Sequence, residues 1–370
     1  MRASMPRTRR TCEALCVALA LVTSATAEPR FTVVDPLNPA ERATFDARRV
    51  ETVPTWGQEF QVRGKTYSYR FVGQAPSSAV TTSIPTVIVP IRLIVPDAVH
   101  PGAPPIVFDA TPIVPHIVSS PLFSPTLSGN MVQFHDAMLR AEFPTAPADW
   151  HTILVPQLGA TLDVTMPPGS VEITQAKSGK LYGFIVDSKP VNQAISDALH
   201  AAPNPQQIVI FVTYNSVEGF AFGYHSWAWA DHKKDAALVY MYTSWMEDID
   251  DAIGFPSPDA ATLSHEIVET VHDPLLTSRT REWGDHFRDN KCFQSLIEVA
   301  DAVEDAPLRL VYAKELGLMD GKPFLYTLQN AALLPWFERE NPSSAADGAY
   351  SFPSPRPLRK PAPERCVHKQ

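Results

Sequence analysis

One histidine and two glutamates within a predicted helix are the residues of this chain best suited to chemistry. His265 and Glu269 are four positions apart, so a helix places them one turn apart on the same side, with Glu266 rotated by about 100° from His265. The spacing matches the HExxH zinc helix, except that Glu269 replaces the second histidine. Imidazole and carboxylate both bind Zn²⁺, and the added carboxylate admits Mn²⁺ or Ca²⁺ as rivals. The segment therefore predicts a divalent-metal site, with Zn²⁺ as the first candidate.

Two neighbouring residues extend the predicted chemistry. A metal held by His265 and Glu269 with one open position lowers the pKa of water, and Glu266 would take the proton of that water as general base. His272 comes seven positions after His265 and returns to nearly the same side of the helix, which makes it an alternative ligand. An amphipathic helix with a solvated acidic face fits the same pattern, and that interpretation stays open.

The motif and its surroundings resemble the zincin-type metallopeptidases. They are more closely similar to a group of secreted proteins with the pattern SHExxE…DP…W…E-x-A-D, and the plant phosphate-induced, exordium-like proteins are distant relatives by the same resemblance. The similarity spans roughly residues 133–301. In this chain the pattern is carried by Ser264, His265, Glu266, Glu269, Asp273, Pro274, Trp283, Glu298, Ala300 and Asp301.

The resemblance implies a zincin-like fold and the remaining parts of a metal site. As in gluzincin-type sites, Glu298 would be the third ligand, and Asp301 would hold a ligand histidine in place. A Gly-Tyr-His element upstream is similar to one in the same group, and it implies a catalytic role for His225, or for Tyr224, as donor to an oxyanion. For Glu298 and Asp301, an exposed acidic helix face is an equally simple interpretation.

These residues predict a metal-dependent hydrolase, specifically a peptidase with a peptide or protein substrate. The alternative is a non-catalytic secreted or cell-envelope binding protein that keeps the metal for structure. The chain contains no G-x-S-x-G elbow, no P-loop and no G-x-G-x-x-G turn, so it offers no support for a serine hydrolase or a nucleotide-binding enzyme.

Strands are predicted before the motif and helices around and after it, which favours an α+β fold. Apolar and β-branched runs at 86–95, 207–214 and 237–243 are typical of buried strands. The motif helix is predicted between start signals at Ser257 and a stop at Pro274. The expected fold is therefore zincin-like, with a mixed sheet followed by the metal-binding helix and a later helix.

The region after the motif helix is predicted to alternate between loop and helix. Residues 277–290 are polar and patternless, so a loop is expected there. Residues 295–303 have apolar residues at helical spacing, so the later helix is expected there. This helix would carry Glu298 and Asp301.

The N-terminus predicts export. Four arginines precede the apolar run 14–22, and Ala25-Thr26-Ala27 is a small-x-small cleavage motif, so residues 1–27 are expected to be a signal peptide cleaved after Ala27. The product would be secreted or periplasmic. The remaining chain is expected to form an irregular N-terminal arm at 28–60, a single domain at 61–352 and a proline-rich tail at 353–370. No later segment has the apolar length of a membrane helix.

The net charge bears on which partners are expected, and the cysteine content bears on a disulfide. The 40 acidic residues outnumber the 31 basic ones, and loss of a signal segment with four arginines and one glutamate takes the net charge to about −12. Such a charge predicts no binding to nucleic acid or to anionic membranes. Cys292 and Cys366 remain after cleavage, and an oxidising compartment favours a disulfide between them.

Overall fold

The computed structural model describes residues 50–96, 102–124, 132–219, 221–247, 257–285, 291–304 and 312–363. The predicted signal segment 1–27 and the Cys366 half of the predicted disulfide lie outside these residues. Within them the fold is mixed α+β, and more residues lie in strands than in helices.

The described residues form eighteen strands and six α-helices. The strands are β1 Thr55–Val62, β2 Lys65–Val72, β3 Thr81–Val95, β4 Ile106–Asp109, β5 His151–Leu158, β6 Leu162–Thr165, β7 Val171–Gln175, β8 Leu181–Ile185, β9 Ile208–Tyr214, β10 Ser216–Glu218, β11 Gly223–Trp229, β12 Ala237–Trp245, β13 Arg279–Asp285, β14 Lys291–Leu296, β15 Tyr312–Met319, β16 Lys322–Gln329, β17 Ala331–Ala332 and β18 Ser351–Phe352. The helices are α1 Val114–Val118, α2 Phe134–Glu142, α3 Lys189–Ala201, α4 Ala261–His272, α5 Asp301–Glu304 and α6 Leu334–Glu338.

A seven-stranded mixed sheet forms the centre of the fold. Its main path has the order β11-β12-β9-β3-β4, and β5 and β6 also pair with β3. The neighbours β12, β9 and β3 are parallel, whereas β11 and β4 run antiparallel at the two ends of the path. The remaining strands form one three-stranded and four two-stranded sheets in the described part of the chain.

The two faces of the central sheet carry different helices. Along β9, Ile210 lies in the same core cluster as Ile267 of α4, and the next residue, Phe211, lies in another cluster with Ile195 of α3. This follows from the two-residue period of a strand, which sends successive side chains to opposite faces. Residues 208–212 of the predicted strand at 207–214 are all apolar because both faces of the strand are covered.

The chain before residue 61 differs from its expected form. An irregular arm was expected up to residue 60, but residues 55–62 form β1, which pairs with β2. The aromatic ring of Trp56 explains the difference, since it packs edge-on against Phe71 and Trp150 and is largely buried. The domain therefore begins several residues earlier than the polar sequence indicates.

The region after α4 also differs from its expected form. Part of the expected loop at 277–290 is the strand β13, and the start of the helix expected at 295–303 is the end of β14. These two strands pair antiparallel, and the pairing outweighs the helical spacing of the apolar residues. The helix is reduced to the single turn α5, and Glu298 lies in the connection before it.

The helices in the described residues are short, and the longest, α3, has 13 residues. None of them combines the length and the apolar character that a membrane crossing needs. The proline-rich residues 353–363 contain no helix or strand, yet Leu358 and Ala362 are buried against the domain.

Candidate metal centre

The helix α4 carries the predicted motif and is buried on every side. All of its twelve residues are buried, including His265, Glu266, Glu269 and His272. A fully buried helix is normally apolar all round, because a charge without a partner is costly away from water. The four ionisable side chains therefore need compensation from one another, from other elements or from a bound ion.

Two aspartates fix the ends of α4. Asp259, at a φ of 44°, precedes the helix, and its Oδ1 accepts a hydrogen bond of 2.7 Å from the N–H of Thr327 in β16. Asp273 follows the helix, and its Oδ1 accepts a hydrogen bond of 2.9 Å from the N–H of Ser278. Pro274 prevents the helix from continuing. The helix thus has little freedom to slide, and its ionisable side chains stay in register with the sheet.

His265 directs one ring nitrogen at two carboxylates. Its Nε2 lies 3.1 Å from Glu269 Oε2 and 3.6 Å from Asp301 Oδ1. Its Nδ1 lies 3.1 Å from Gln329 Oε1, so a neutral imidazole donates Nδ1–H to the amide and keeps the Nε2 lone pair for a ligand. A metal-binding histidine is typically oriented in this way, through the nitrogen that does not bind the metal.

Backbone groups orient Glu269. Its Oε1 accepts hydrogen bonds from the N–H groups of Ala300 at 3.1 Å and Asp301 at 3.2 Å. This leaves Oε2 as the oxygen that faces both histidines of the cluster, with His225 Nδ1 3.5 Å away. Glu269 therefore presents one oxygen to the site and uses the other to hold the connection before α5.

Gln329 is a part of the site that the sequence analysis missed. It ends β16, its N–H donates to Ser264 Oγ at 2.8 Å, and its side-chain amide donates to the carbonyl of Ala300 at 3.2 Å. The residue is buried and lies 64 positions after His265. No local pattern marks it, because its role depends only on how β16 packs on α4.

The strand β11 brings His225 against α4. Tyr224 lies on the opposite face of the sheet and donates to Asn192 Oδ1 at 3.0 Å, so of the two proposed oxyanion donors only His225 is in the cluster. Its Nδ1 is close to Glu269, and its Nε2 lies 3.7 Å from Glu298 Oε2. His225 therefore lies between carboxylates that come from two different segments.

The ligand atoms fall into two close groups that share Glu269. In each group the atoms lie within 4.8 Å of one another; one group is His225, Glu269 and Glu298, and the other is His265, Glu266 and Glu269. The expected ligand set His265, Glu269 and Glu298 is not such a group among the described residues, since Glu298 lies beside His225. The proposed ligands and catalytic residues nevertheless meet in one buried cluster.

Several atoms of the cluster have no hydrogen-bond partner among the described residues. They are both carboxylate oxygens of Glu266, both of Glu298, and Nε2 of His225. Burial of such groups without hydrogen bonds costs several kcal/mol unless an ion compensates them. Imidazole and carboxylate are the ligands that Zn²⁺ and Mn²⁺ accept. The residues present therefore fit a divalent cation.

The pKa values of these groups follow from burial and from mutual attraction. Burial raises the pKa of Glu266, and it raises that of Glu298 well above its usual value. Burial alone would lower the pKa of His225, but the surrounding carboxylates, led by Glu298, outweigh it and raise the pKa well above its usual value. For Glu269 the balance is reversed, since His265 and His225 lower its pKa in spite of burial.

His272, the alternative ligand, belongs to a different cluster. Its Nε2 lies 2.9 Å from Glu142 Oε2, and its Nδ1 lies 2.5 Å from the carbonyl of Val268. Burial alone would lower the pKa of His272, but the Glu142 carboxylate outweighs burial and raises it. Both ring nitrogens therefore donate hydrogen bonds, which leaves neither for a metal, and His272 ties α4 to α2.

Gly223 makes room for Glu266 where β11 passes α4. A Cβ atom at this position would lie 2.6 Å from Glu266 Oε1 and 2.9 Å from Thr262 Cγ2. Both distances are shorter than a real carbon atom tolerates, so any side chain here would displace the glutamate. A glycine is therefore needed at the first position of the Gly-Tyr-His element, because the Glu266 side chain occupies the space that a Cβ atom would fill.

Comparison of this chain with protein-family models, curated proteins and solved structures finds no match. The resemblance to zincin-type peptidases therefore stays a prediction from the motif.

Proposed function

We propose that this protein is an exported metal-dependent hydrolase, specifically a peptidase, with Glu266 as its general base. The observation that carries the proposal is the state of the Glu266 carboxylate. It is 1% exposed, neither oxygen accepts a hydrogen bond from the described residues, and it adjoins the ligand atoms of His265 and Glu269. Carboxylates in such surroundings are concentrated at catalytic sites.

The proposed metal ligands are His265, Glu269 and Glu298, with Asp301 as the acidic partner of His265. The 3.1 Å between His265 Nε2 and Glu269 Oε2 supports a shared cation, and so do the Glu298 oxygens without hydrogen bonds. A divalent cation held here supplies Lewis acidity, which lowers the pKa of water and polarises a carbonyl. Zn²⁺ is the first candidate, and Mn²⁺ and Ca²⁺ are the rivals. The helix on a mixed sheet is consistent with the proposed zincin-like fold.

Glu266 would transfer protons, and His225 would stabilise the negative charge that forms on the substrate. Burial raises the pKa of Glu266, so its carboxylate is a stronger base than an exposed glutamate and can accept the proton of the attacking water. It then returns the proton to the leaving amine. His225 has a raised pKa and is cationic, so its N–H groups can donate to the oxyanion that forms on the substrate carbonyl.

The test is Glu266→Gln, which keeps the size of the side chain and removes the base. We expect cleavage of a peptide library, followed by mass spectrometry, to fall by about 10²–10⁴-fold. Bound metal, counted by elemental analysis, should stay unchanged. Glu218→Gln is the matched control, because it alters a half-buried glutamate outside the two ligand groups whose Oε1 also lacks a hydrogen-bond partner among the described residues. Equal turnover by Glu266→Gln and the wild type contradicts the catalytic assignment.

The second candidate function is a non-catalytic secreted or cell-envelope binding protein that keeps its metal for structure. The burial of the site favours it, because His225, Glu269 and Glu298 are at most 3% exposed. Metal in the purified protein without cleavage of any library peptide, together with a loss of thermal stability on chelation, would support this function over the first.

Export is proposed from the N-terminal sequence alone. N-terminal sequencing of the protein recovered outside the cytoplasm should begin at Glu28. An uncleaved Met1 in that material would contradict the proposed cleavage after Ala27.

A further inference from the structure

We propose that the cluster around α4 binds two divalent cations, with Glu269 as the ligand they share. The inference rests on the proposed metal site, divides its ligands between two ions, and makes Asp301 and His225 ligands in place of the roles they have in a site for one ion. One ion would lie at His265 and Asp301, and the other at His225 and Glu298. The two histidines and two outer carboxylates thus form two half-sites on either side of one carboxylate.

The arrangement of the ligand atoms supports two half-sites. The two close groups share Glu269; one adds His225 and Glu298 and the other adds His265 and Glu266, and Asp301 lies beside His265. Nε2 of His265 lies 3.1 Å from Glu269 Oε2 and 3.6 Å from Asp301 Oδ1. Two ligands of one tetrahedral ion, each bound at 2.0–2.2 Å, are about 3.3–3.6 Å apart, which is close to both distances. This half-site therefore already has the spacing of ligands around an ion.

The second half-site has similar spacing and atoms available for binding. His225 Nε2 lies 3.7 Å from Glu298 Oε2, and the group of His225, Glu298 and Glu269 offers ligand atoms within 4.8 Å of one another. His225 Nε2 and both oxygens of Glu298 have no hydrogen-bond partner among the described residues, and both side chains are buried. An ion bound only at His265 and Asp301 would leave these atoms without compensation.

The charge of the cluster also favours two ions. Metal ligands bind in their deprotonated forms, and in that state the two imidazoles are neutral and the four carboxylates of Glu266, Glu269, Glu298 and Asp301 carry four negative charges. One divalent cation would leave half of this charge uncompensated in a buried site, and two would balance it.

Glu269 is placed to be the shared ligand. Its Oε1 accepts two backbone hydrogen bonds, so only Oε2 faces the histidines on both sides. A single bridging oxygen keeps two metals close, and paired metals in hydrolytic sites are about 3.5–4 Å apart. Glu269 is therefore the residue that the two half-sites have in common.

The number of ions per chain tests the inference without any assay of activity. The full-length protein is stripped with a chelator, titrated with Zn²⁺ and separately with Mn²⁺, and analysed for bound metal. We expect two equivalents per chain, and an electron paramagnetic resonance spectrum of the Mn²⁺ form that shows a coupled pair. One equivalent overturns this inference and leaves the proposed function intact, whereas zero equivalents overturns both.

Single-residue variants test whether Glu298 and His265 belong to different half-sites. Glu298→Gln and His265→Gln should each reduce bound metal from two equivalents to one, because each removes a ligand from a different half-site. In a site for one ion, either variant would reduce it from one to zero. Glu218→Gln should keep two equivalents and controls for the loss of a half-buried carboxylate outside the cluster. Circular dichroism checks that each variant folds, and if one does not, the wild-type count and spectrum decide.

Discussion

His265 contacts Gln329 through Nδ1 and faces the cluster with Nε2. The contact with Gln329 therefore orients the nitrogen that faces the cluster. The amide oxygen of Gln329 accepts from Nδ1, and the amide itself is held by Ser264 and Ala300. Residues that orient a metal ligand without binding the metal typically contribute 10–100-fold to affinity. The affinity of this site for its metal should therefore depend on a residue outside the motif.

Replacing Gln329 tests this dependence. Gln329→Leu removes the acceptor for His265 Nδ1, and we expect the metal dissociation constant to rise about 10–100-fold in competition with a coloured chelator. Gln133→Leu is the matched control, since Gln133 is also buried and bonds the backbone carbonyls of Phe123 and Leu154. The control should lose stability and keep its affinity. An unchanged affinity in Gln329→Leu removes the orienting role.

Single residues also show where a sequence motif stops being informative. The four-residue spacing of His265 and Glu269 predicts that they share a helix face, and their ligand atoms are 3.1 Å apart. The seven-residue spacing of His272 predicts the same face, yet its imidazole contacts Glu142 on another helix. Helical spacing gives the direction of a side chain but not the group that packs against it.

The strand β11 passes close enough to the helix α4 to bring His225 to Glu269. This approach depends on Gly223, whose missing side chain leaves space for Glu266. Neither the antiparallel edge position of β11 nor its contact with α4 was predicted, because both depend on sheet pairing with β12. The position of the Glu266 carboxylate therefore depends on both α4 and β11.

Gly223→Ala tests the close approach of these elements. The added Cβ would lie 2.6 Å from Glu266 Oε1, so we expect the glutamate to move and turnover to fall at least about 10-fold, since general-base catalysis needs hydrogen-bond reach. Metal content should persist, because Gly223 touches no proposed ligand in the described residues. Gly219→Ala is the control, with its nearest contact at an ordinary 3.4 Å. Full turnover in Gly223→Ala would contradict the positioning role.

Elements after α4 were predicted least well, and the cause is competition between local and long-range preferences. Apolar spacing at 295–303 indicates a helix, but the first residues pair with β13 as part of β14. The result moves Glu298 from an expected helix face into a connection, where it lies beside His225. Glu298 was expected near the motif and lies in the buried cluster, but its local structure and its neighbour His225 were not expected.

The stability of the whole molecule should depend on the neutral form of His135. This residue of α2 is fully buried, its Nε2–H donates to the carbonyl of Thr152 at 2.9 Å, and its Nδ1 has no hydrogen-bond partner among the described residues. Burial lowers the pKa of His135 to about 4. Folding therefore excludes a proton that the unfolded chain binds below about pH 6.5.

The sign of this linkage predicts acid sensitivity. Because His135 binds a proton in the unfolded state but not in the folded state between pH 6.5 and about 4, its contribution to the free energy of unfolding should decrease by about 3 kcal/mol as the pH falls through that range. The measurement is urea unfolding at several pH values. His135→Gln cannot titrate at this position, so the free energy of unfolding of the wild type relative to this variant should decrease by about that amount over the same range. Parallel pH profiles for the two proteins would contradict the prediction.

The class of fold, the buried strands at 207–214 and 237–243 and the helix with His265, Glu266 and Glu269 follow from the amino-acid sequence. These features depend on repeats of two and 3.6 residues, which backbone geometry imposes locally. The contact of His225 with Glu298, the contact of Gln329 with His265 and the separate position of His272 became known from the packed structure. Those contacts join distant segments, so they depend on the packing free energy of the whole fold, which no local repeat encodes.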